Sequence, residues 1–548
     1  RLIDTWAANI ADYPSTEGFF ASDDYVEYTE DIYVGYRYFS TIPGAAEHVV
    51  YPFGYGLSYT TFSVDGITGE KTGDDVVVTA RVVNTGRMPG RQVLQLYVQA
   101  PQGKLGKSAR SLAAFAKTRL LLPGDAQILT LTVPVAELSS YDDLGKVKKA
   151  AWVLERGDYH FHLGTDAADT TELSYVLTIR KDRVVRQLTT LVAPKALKKR
   201  LKADGTYEKL PAAKPEKAKK EAAMLPKLKG ETWMGIWPDT RELKSLPAAE
   251  FRKNGMATDE VAEGKRSIAS VIREMTDEDL CWLFGGTPNT GVANTCGMGN
   301  LPRLGIPNLM TADGPAGLRT NAQTGVTTTA WPVASTLAAT WDPELLESIG
   351  RAAAEEVREN NIAIWLAPAM NIHRSPLCGR NFEYFSEDPL ITGKMGAAIV
   401  RGVQSQHIAA TVKHFACNNK ETNRMESDSR LSERAMREIY LKGFEITVRE
   451  SAPWCVMTSY NIINGVHASE NTELLQGILR GEWGFDGLIM TDWWSTGDPY
   501  KDLLGGIDVR MPNGVPSRVR QALDKGLIKR ADLERAAENL LKLLMKLD

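Results

Sequence analysis

ATVKHFACNNKETNRMESDSRLSERAMREIYLKGFEITVRESAPWCVMTSY, residues 410–460, decides the fold. It opens on a short apolar run that ends in Lys413-His414, and it closes on a second run that ends in Ser459-Tyr460. Short apolar runs without alternation are the pattern of strands covered on both faces. Between them Ser432-Glu433 offers a helix start, and 432–450 follows with the spacing of one buried helical face. Two parallel strands need such a crossover, so the stretch reads as a β–α–β unit.

The unit recurs on both sides. NLMTADG (308–314) precedes a helix predicted over 342–361, where Asp342-Pro343 supplies a cap and a first-turn proline. AIWLAPA (363–369) precedes a helix over 391–407, and a helix over 471–480 precedes GLIMTDWW (487–494). Repetition across 267–548 matches the (β/α)8 barrel, typically about 250 residues. A doubly wound sheet is the alternative, but no GxGxxG or GxxxxGK[ST] follows any of these runs.

The upstream texture differs. DVVVTARVV, RQVLQLYV, QILTLTV, GDYHFHLG and LSYVLTI alternate between Gly/Pro turns from Asp75 to Arg180, the signature of an antiparallel sandwich. His160 and His162 lie on one face of such a strand without a third ligand, and read as strand surface. Residues 194–229, rich in Lys, Ala and Pro, read as a solvated, partly helical linker, since no aromatic platform accompanies the basic run.

The 548 residues predict three or four domains. Lys+Arg 65 against Asp+Glu 68 leaves a net charge of −3, which argues against a nucleic-acid or anionic-membrane binder. No stretch approaches the roughly 20 apolar residues of a membrane span. Five cysteines (Cys281, Cys296, Cys378, Cys417, Cys455) without CxxC spacing read as buried thiols rather than a disulfide or zinc framework. The missing N-x-Ser/Thr sequon tilts localisation toward the cytoplasm. Secretion stays open in a chain that begins at Arg1.

At the C-terminal ends of barrel strands, where such folds hold their ligands, stand Asp313, Lys413-His414, Ser459-Tyr460-Asn461 and Asp492 with Trp493 and Trp494. Loops add Arg380 and Arg424. Carboxylates, cations and flat aromatic faces together suit a sugar; a phosphate would favour Gly-rich loops and excess positive charge.

The segments DGPAGLR (313–319), PLCGRNFEYFSEDP (376–389), VKHFACNNKETNR (412–424), MTSYNIINGVHASEN (457–471) and GFDGLIMTDWW (484–494) resemble the catalytic barrel of the family 3 glycoside hydrolases, most of all its β-glucosidase branch. DYVEYTEDIYVGYRYF (24–39) with YPFGYGLSYTTF (51–62) resembles the end of that family's α/β sandwich domain, entering its fibronectin type III-like domain. The order is reversed relative to the common arrangement, with sandwich tail and fibronectin-like domain before the barrel. The resemblance implies a sandwich tail at 1–60, a fibronectin type III-like domain at 61–185, a linker at 186–264 and a (β/α)8-type barrel at 265–548.

It further implies that Asp492 is the nucleophile of a retaining β-glucosidase. Asp313, Arg380, Lys413, His414, Arg424, Met457, Tyr460 and Trp493 would bind substrate, without metal or organic cofactor. Retaining enzymes pair the nucleophile with an acid/base carboxyl about 5–5.5 Å away. In this branch the acid lies in the sandwich domain, which places it before Arg1. Glu17, Glu27 and Glu30 are the nearest remaining candidates, and a solvated surface is their expected setting. The expected partners are a β-glucoside or oligosaccharide and the missing upstream sandwich domain, in the same protein or a second chain, which would cover seven aromatics of the N-terminal segment (Tyr33, Tyr36, Tyr38, Phe39, Tyr51, Phe53 and Tyr55). A homo-oligomer is compatible with the sequence; nucleic acid and membrane are not expected. The competing readings are a non-catalytic carbohydrate-binding fragment, a scaffold, or a β-xylosidase of the same family. DGP at 313–315 favours glucose over xylose. The hexosaminidase branch resembles KHFPGHGDT with an Asp-x-His dyad, which KHFACNNKETNR does not match.

Overall fold

The computed structural model describes residues 1–211 and 257–547. The expected β–α–β units form one seven-stranded sheet in the order Gly286–Thr287, Gly297–Leu301, Ile306–Ala312, Ile364–Trp365, Ala409–Phe415, Cys455–Thr458, Leu488–Met490. From Ile306–Ala312 onward every pairing is parallel. Val509 bridges Met490 and Arg510 bridges Gly285, both in parallel, so one short segment joins the two edges of the sheet. A strict succession of parallel strands fails at one place. Gly297–Leu301 runs antiparallel to both neighbours, because the connection from Thr287 is too short for the dozen or more residues of a parallel crossover.

The helices start where their caps dictate. Asp342 accepts a hydrogen bond from Leu345 N (3.1 Å) and opens Pro343–Glu359. Asp388 accepts from Leu390 N and Ile391 N and opens Pro389–Gln404, two residues before the expected start. Ser432 accepts from Ala435 N (2.9 Å), but the helix it caps is interrupted by a wider π-type turn, Met436–Tyr440, before Lys442–Ser451. Among the described residues no helix is long and apolar enough to cross a membrane.

The alternating runs build two facing sheets, Phe62–Thr72, Asp75–Asn84 and Ala126–Pro134 against Thr170–Ile179, Gly157–Gly164, Val93–Gln99 and Ser111–Lys117. Val76, Val78, Ala80 and Val82 point inward at every second position and meet Leu94, Leu96, Tyr159 and Phe161. Each full burial of a valine is worth about 1.5–3 kcal/mol. The pair expected on the strand surface is split: His160 Nδ1 meets Glu172 (2.8 Å), whereas His162 is buried. Both stay on one face, since the strand pairs without a shift to Gln99 and Tyr97; His162 lies where that face is covered, beside buried Gln95 and Tyr97.

Two further expectations are corrected. The seven aromatics of the N-terminal segment do not await an outside partner: Tyr33, Tyr36, Phe39 and Phe53 are buried. They fill the seam between the sandwich and the α/β part, where Tyr36 stacks on Phe53 (4.7 Å between centroids) and Phe53 meets Trp341 (5.4 Å). Tyr51 remains exposed. The start of the expected linker is a hairpin, Lys199–Leu201 with Tyr207–Lys209. It is held by Leu201 N donating to Thr29 O (2.7 Å) and by buried Arg200 on Asp143 (2.9 Å). The remainder of that stretch up to 229 lies outside the described residues. All five cysteines are buried thiols.

Candidate active site

Parallel strands deliver their C-terminal ends to one side of the sheet. There Asp313 follows Ile306–Ala312, Lys413 and His414 close Ala409–Phe415, Tyr460 follows Cys455–Thr458, and Asp492 follows Leu488–Met490. Asp492 is 7 % exposed. Its Oδ1 accepts from Trp493 N (2.7 Å), while Oδ2 is buried without a hydrogen-bond partner and lies 3.8 Å from His414 Nε2. Burial raises its pKa; the charges of Arg380 and Lys413, the Trp493 amide and the Tyr460 hydroxyl recover only part of that shift.

Arg380 Nη2 lies 2.9 Å from His414 Nε2. A guanidinium only donates, so Nε2 is the acceptor and the imidazole proton sits on Nδ1, 3.5 Å from the Tyr384 hydroxyl. Burial, with Arg380, Lys413 and Arg424 around it, holds the His414 pKa well below its ordinary value. The ring is neutral, and its 3.8 Å approach to Asp492 is not an ion pair. Asn371 fixes its backbone from both sides, accepting from His414 N and donating to His414 O (2.9 Å each).

Each cation of the site has its own carboxylate. Lys413 Nζ donates to Asp313 Oδ1 (2.6 Å), Arg380 Nε to Glu383, and Arg424 Nη1 to Glu421 Oε2 (2.8 Å). Arg319 adds a second contact to Asp313 (3.2 Å). Burial would raise Asp313, but Lys413, the Gly314 amide and Arg319 outweigh it and hold the carboxyl at about 2. Arg424 also lies over the Tyr460 ring (4.7 Å), and half-buried Trp493 adds an apolar face. The cup is therefore dense in donors and acceptors yet nearly balanced in charge. An anionic ligand finds its cations already neutralised, whereas neutral hydroxyls find both kinds of partner. Asp492 is the carboxylate left over.

The structure thus gathers Asp313, Arg380, Lys413, His414, Arg424, Tyr460, Asp492 and Trp493. Met457, in register with Met490 on the next strand, is as buried as His414. Sequence reasoning passed over Glu383, Glu421, Arg319, Tyr384 and Asn371. The signal for the first two was present: opposite charges three apart in RNFE and ETNR. Glu30 is not on a solvated surface. It is 2 % exposed and forms a bidentate pair with Arg374 (Nη2–Oε2 3.0 Å). Glu17 is exposed and Glu27 half-buried. Among the described residues no carboxylate is hydrogen-bonded to Asp492.

Fold and site define an α/β protein with a charge-balanced polar cup around a buried carboxylate, next to a β-sandwich. Residues 297–543 match the glycosyl hydrolase family 3 N terminal domain, and 92–167 match a fibronectin type III-like domain. β-Glucosidase A of Butyrivibrio fibrisolvens is 50% identical over 98% of this chain and 67% of its own length. A β-glucosidase of Ruminococcus albus is 41% identical over 100% of this chain and 58% of its own. The crystal structure of a β-glucosidase from Paenibacillus barengoltzii superposes with a TM-score of 0.86 at 37% identity, covering 100% of this chain and 62% of that one. The chain belongs to glycoside hydrolase family 3, with the reversed order of parts, and spans about three fifths to two thirds of the length of these relatives.

Proposed function

We propose that the chain carries the nucleophile and sugar pocket of a retaining β-glucosidase acting on terminal non-reducing β-D-glucosyl residues. The carrying observation is the bare Oδ2 of Asp492 inside a cup whose three cations are already paired. Oδ2 attacks the anomeric carbon as the bond to the leaving oxygen breaks, and that oxygen takes a proton from the general acid. Water, deprotonated by the same group, then displaces Asp492 with the original configuration restored. Asp313, Lys413, Arg380, His414 and Arg424 hold the glycone hydroxyls, Tyr460 orients the nucleophile, and Trp493 and Met457 line the pocket. Preformed donors near the developing charge lower the barrier without reorganising. Neither metal nor organic cofactor enters this scheme.

The general acid is assigned to none of these residues. We place it in a further α/β sandwich domain, of the same protein or a second chain; the greater length of the relatives supports this. The proposed division is 1–60 sandwich tail, 61–185 fibronectin type III-like, 186–264 a connection that includes the packed hairpin Lys199–Leu201 with Tyr207–Lys209, and 265–548 barrel. The joining of both sheet edges by Val509–Arg510 supports a variant of the (β/α)8 barrel with one reversed strand.

The test is to trap the intermediate. With an activated 2-deoxy-2-fluoro-β-glucoside, mass spectrometry of the full-length enzyme should place one glycosyl adduct on the Asp492 peptide. An adduct elsewhere would dismiss Asp492 as nucleophile. Aryl β-glucosides should also be cleaved in preference to aryl β-xylosides; the opposite order would favour a β-xylosidase.

Asp313→Ala removes a sugar contact and strips buried Lys413 of its partner. It should raise KM and lower kcat together, by about 2–4 kcal/mol in kcat/KM, or roughly 30- to 1000-fold. Steady-state kinetics unchanged within about twofold, a difference of only ~0.4 kcal/mol, would take Asp313 out of the pocket.

A further inference from the structure

The charge of Arg380 reaches Asp492, and its guanidinium also touches the neutral His414. Its ion pair, however, is with Glu383, three residues on in the turn Asn381–Glu383. Glu383 is itself fixed: its N–H donates to Arg380 O (3.1 Å) and it is 6 % exposed. It borders a small cavity of about 20 Å³ walled by Trp331, Trp365 and Phe385. The contact occupies Nε of Arg380, and Nη2 is spent on His414, so the guanidinium is held at both ends.

We propose that Glu383 is a positioning residue that withholds Arg380 from the nucleophile. The alternative partner for Arg380 is Asp492 Oδ2, buried and without a hydrogen bond. A guanidinium docked there would cap the attacking oxygen and fill the space meant for the anomeric carbon. Glu383 outcompetes it by proximity in the chain, leaving the cation near enough to stabilise charge and too constrained to quench it. This rests on the reading of Asp492 as nucleophile.

The charged and titratable groups that bear on Asp492 come from every side. Lys413 and His414 on their strand, Tyr460 after the next strand and Arg380 on a loop face it directly; Glu383, Tyr384 and Cys378 surround Arg380, and Arg424, paired with Glu421, lies over Tyr460. Asp313 and Arg319 act through Lys413. Of these, Glu383→Gln changes only the charge opposing Arg380. Freed, Arg380 favours the ionised form of Asp492, both by its uncompensated charge and by turning toward Oδ2. The pKa of Asp492, raised by burial, then falls.

The acid limb of kcat/KM reports the free nucleophile, so in Glu383→Gln it should move to lower pH by about 0.5–1 unit. The plateau kcat should fall about ten-fold or more, since the attacking oxygen is now paired. Glu383→Asp keeps the charge but shortens its reach; the limb should stay where it is in the wild type while kcat falls several-fold. A Glu383→Gln limb at the wild-type position would overturn the proposal. So would wild-type kcat and KM in Glu383→Asp, which serves by itself if the Gln variant does not fold. Asp492→Asn, measured alongside with the same aryl β-glucoside, separates the two readings. Retained turnover there removes the nucleophile assignment. An inactive Asp492→Asn beside an unmoved Glu383→Gln limb removes only the role of Glu383.

Discussion

Asp492→Asn in the full-length enzyme should turn over aryl β-glucosides about 10⁵- to 10⁶-fold more slowly than the wild type, from the loss of roughly 8 kcal/mol of nucleophilic and electrostatic stabilisation. An amide is a poor nucleophile and carries no charge for an oxocarbenium-like transition state. The fold should not suffer. The side-chain oxygen can still accept from Trp493 N, where Oδ1 does now at 2.7 Å. Burial already penalises the ionised carboxylate, as its raised pKa shows, so a neutral group of the same shape relieves that cost. The thermal midpoint should therefore be unchanged or higher, a gain in stability with a loss of function. A variant with more than a few per cent of wild-type turnover would move the nucleophile to another carboxylate. One that melts well below the wild type would show Asp492 to be structural.

Glu30→Ala should destabilise the α/β part even though residue 30 lies far upstream of it in sequence. Arg374 follows the strand Ile364–Trp365 and is clamped between the Glu30 carboxylate and the Tyr28 ring, 4.0 Å from its guanidinium. Both partners are essentially buried, so no solvent screens the charge left behind. Removing one member of such a pair costs about 3–5 kcal/mol. In a domain of this size that lowers the melting midpoint by roughly 6–20 °C. Turnover should fall as well. The freed loop leads to Arg380, and Tyr28, packed on the same arginine, donates from its hydroxyl to Cys417 O (3.0 Å) in the loop that leads to Arg424. Glu30→Gln should fall between Ala and wild type, because one carbonyl oxygen still accepts. An unchanged melt in Glu30→Ala would show that the N-terminal segment merely lies against the site rather than supporting it.

The legible parts of this protein were those whose determinants are local. Apolar runs ending in Asp313, Lys413-His414, Tyr460 and Asp492 fixed strands and rim residues at once, because in a parallel sheet the end of each buried run is also its exit toward the ligand. Caps at Asp342 and Ser432 fixed helix starts by supplying an acceptor to a free amide. The period-2 runs fixed the sandwich because each inward position needs a partner across two sheets. The strands Gly286–Thr287 and Gly297–Leu301 were passed over: their glycines give no apolar signal, and their pairing depends on the sheet already being there.

The sequence by itself determined the family motifs, the buried thiols, the succession of β–α–β units and the residue types that meet at Asp492. Tertiary structure alone decided which charges cancel. Lys413 and Asp313 lie 100 positions apart, and Glu30 and Arg374 lie 344 apart; no period or spacing relates them, and only folding brings them within reach. It also decided that Tyr36 and Phe53 close a seam instead of awaiting a partner, that Glu30 is an anchor and not a free acid, and that His414 is neutral. Burial and electrostatics depend on everything nearby in space, and a chain read in one dimension does not carry its neighbours.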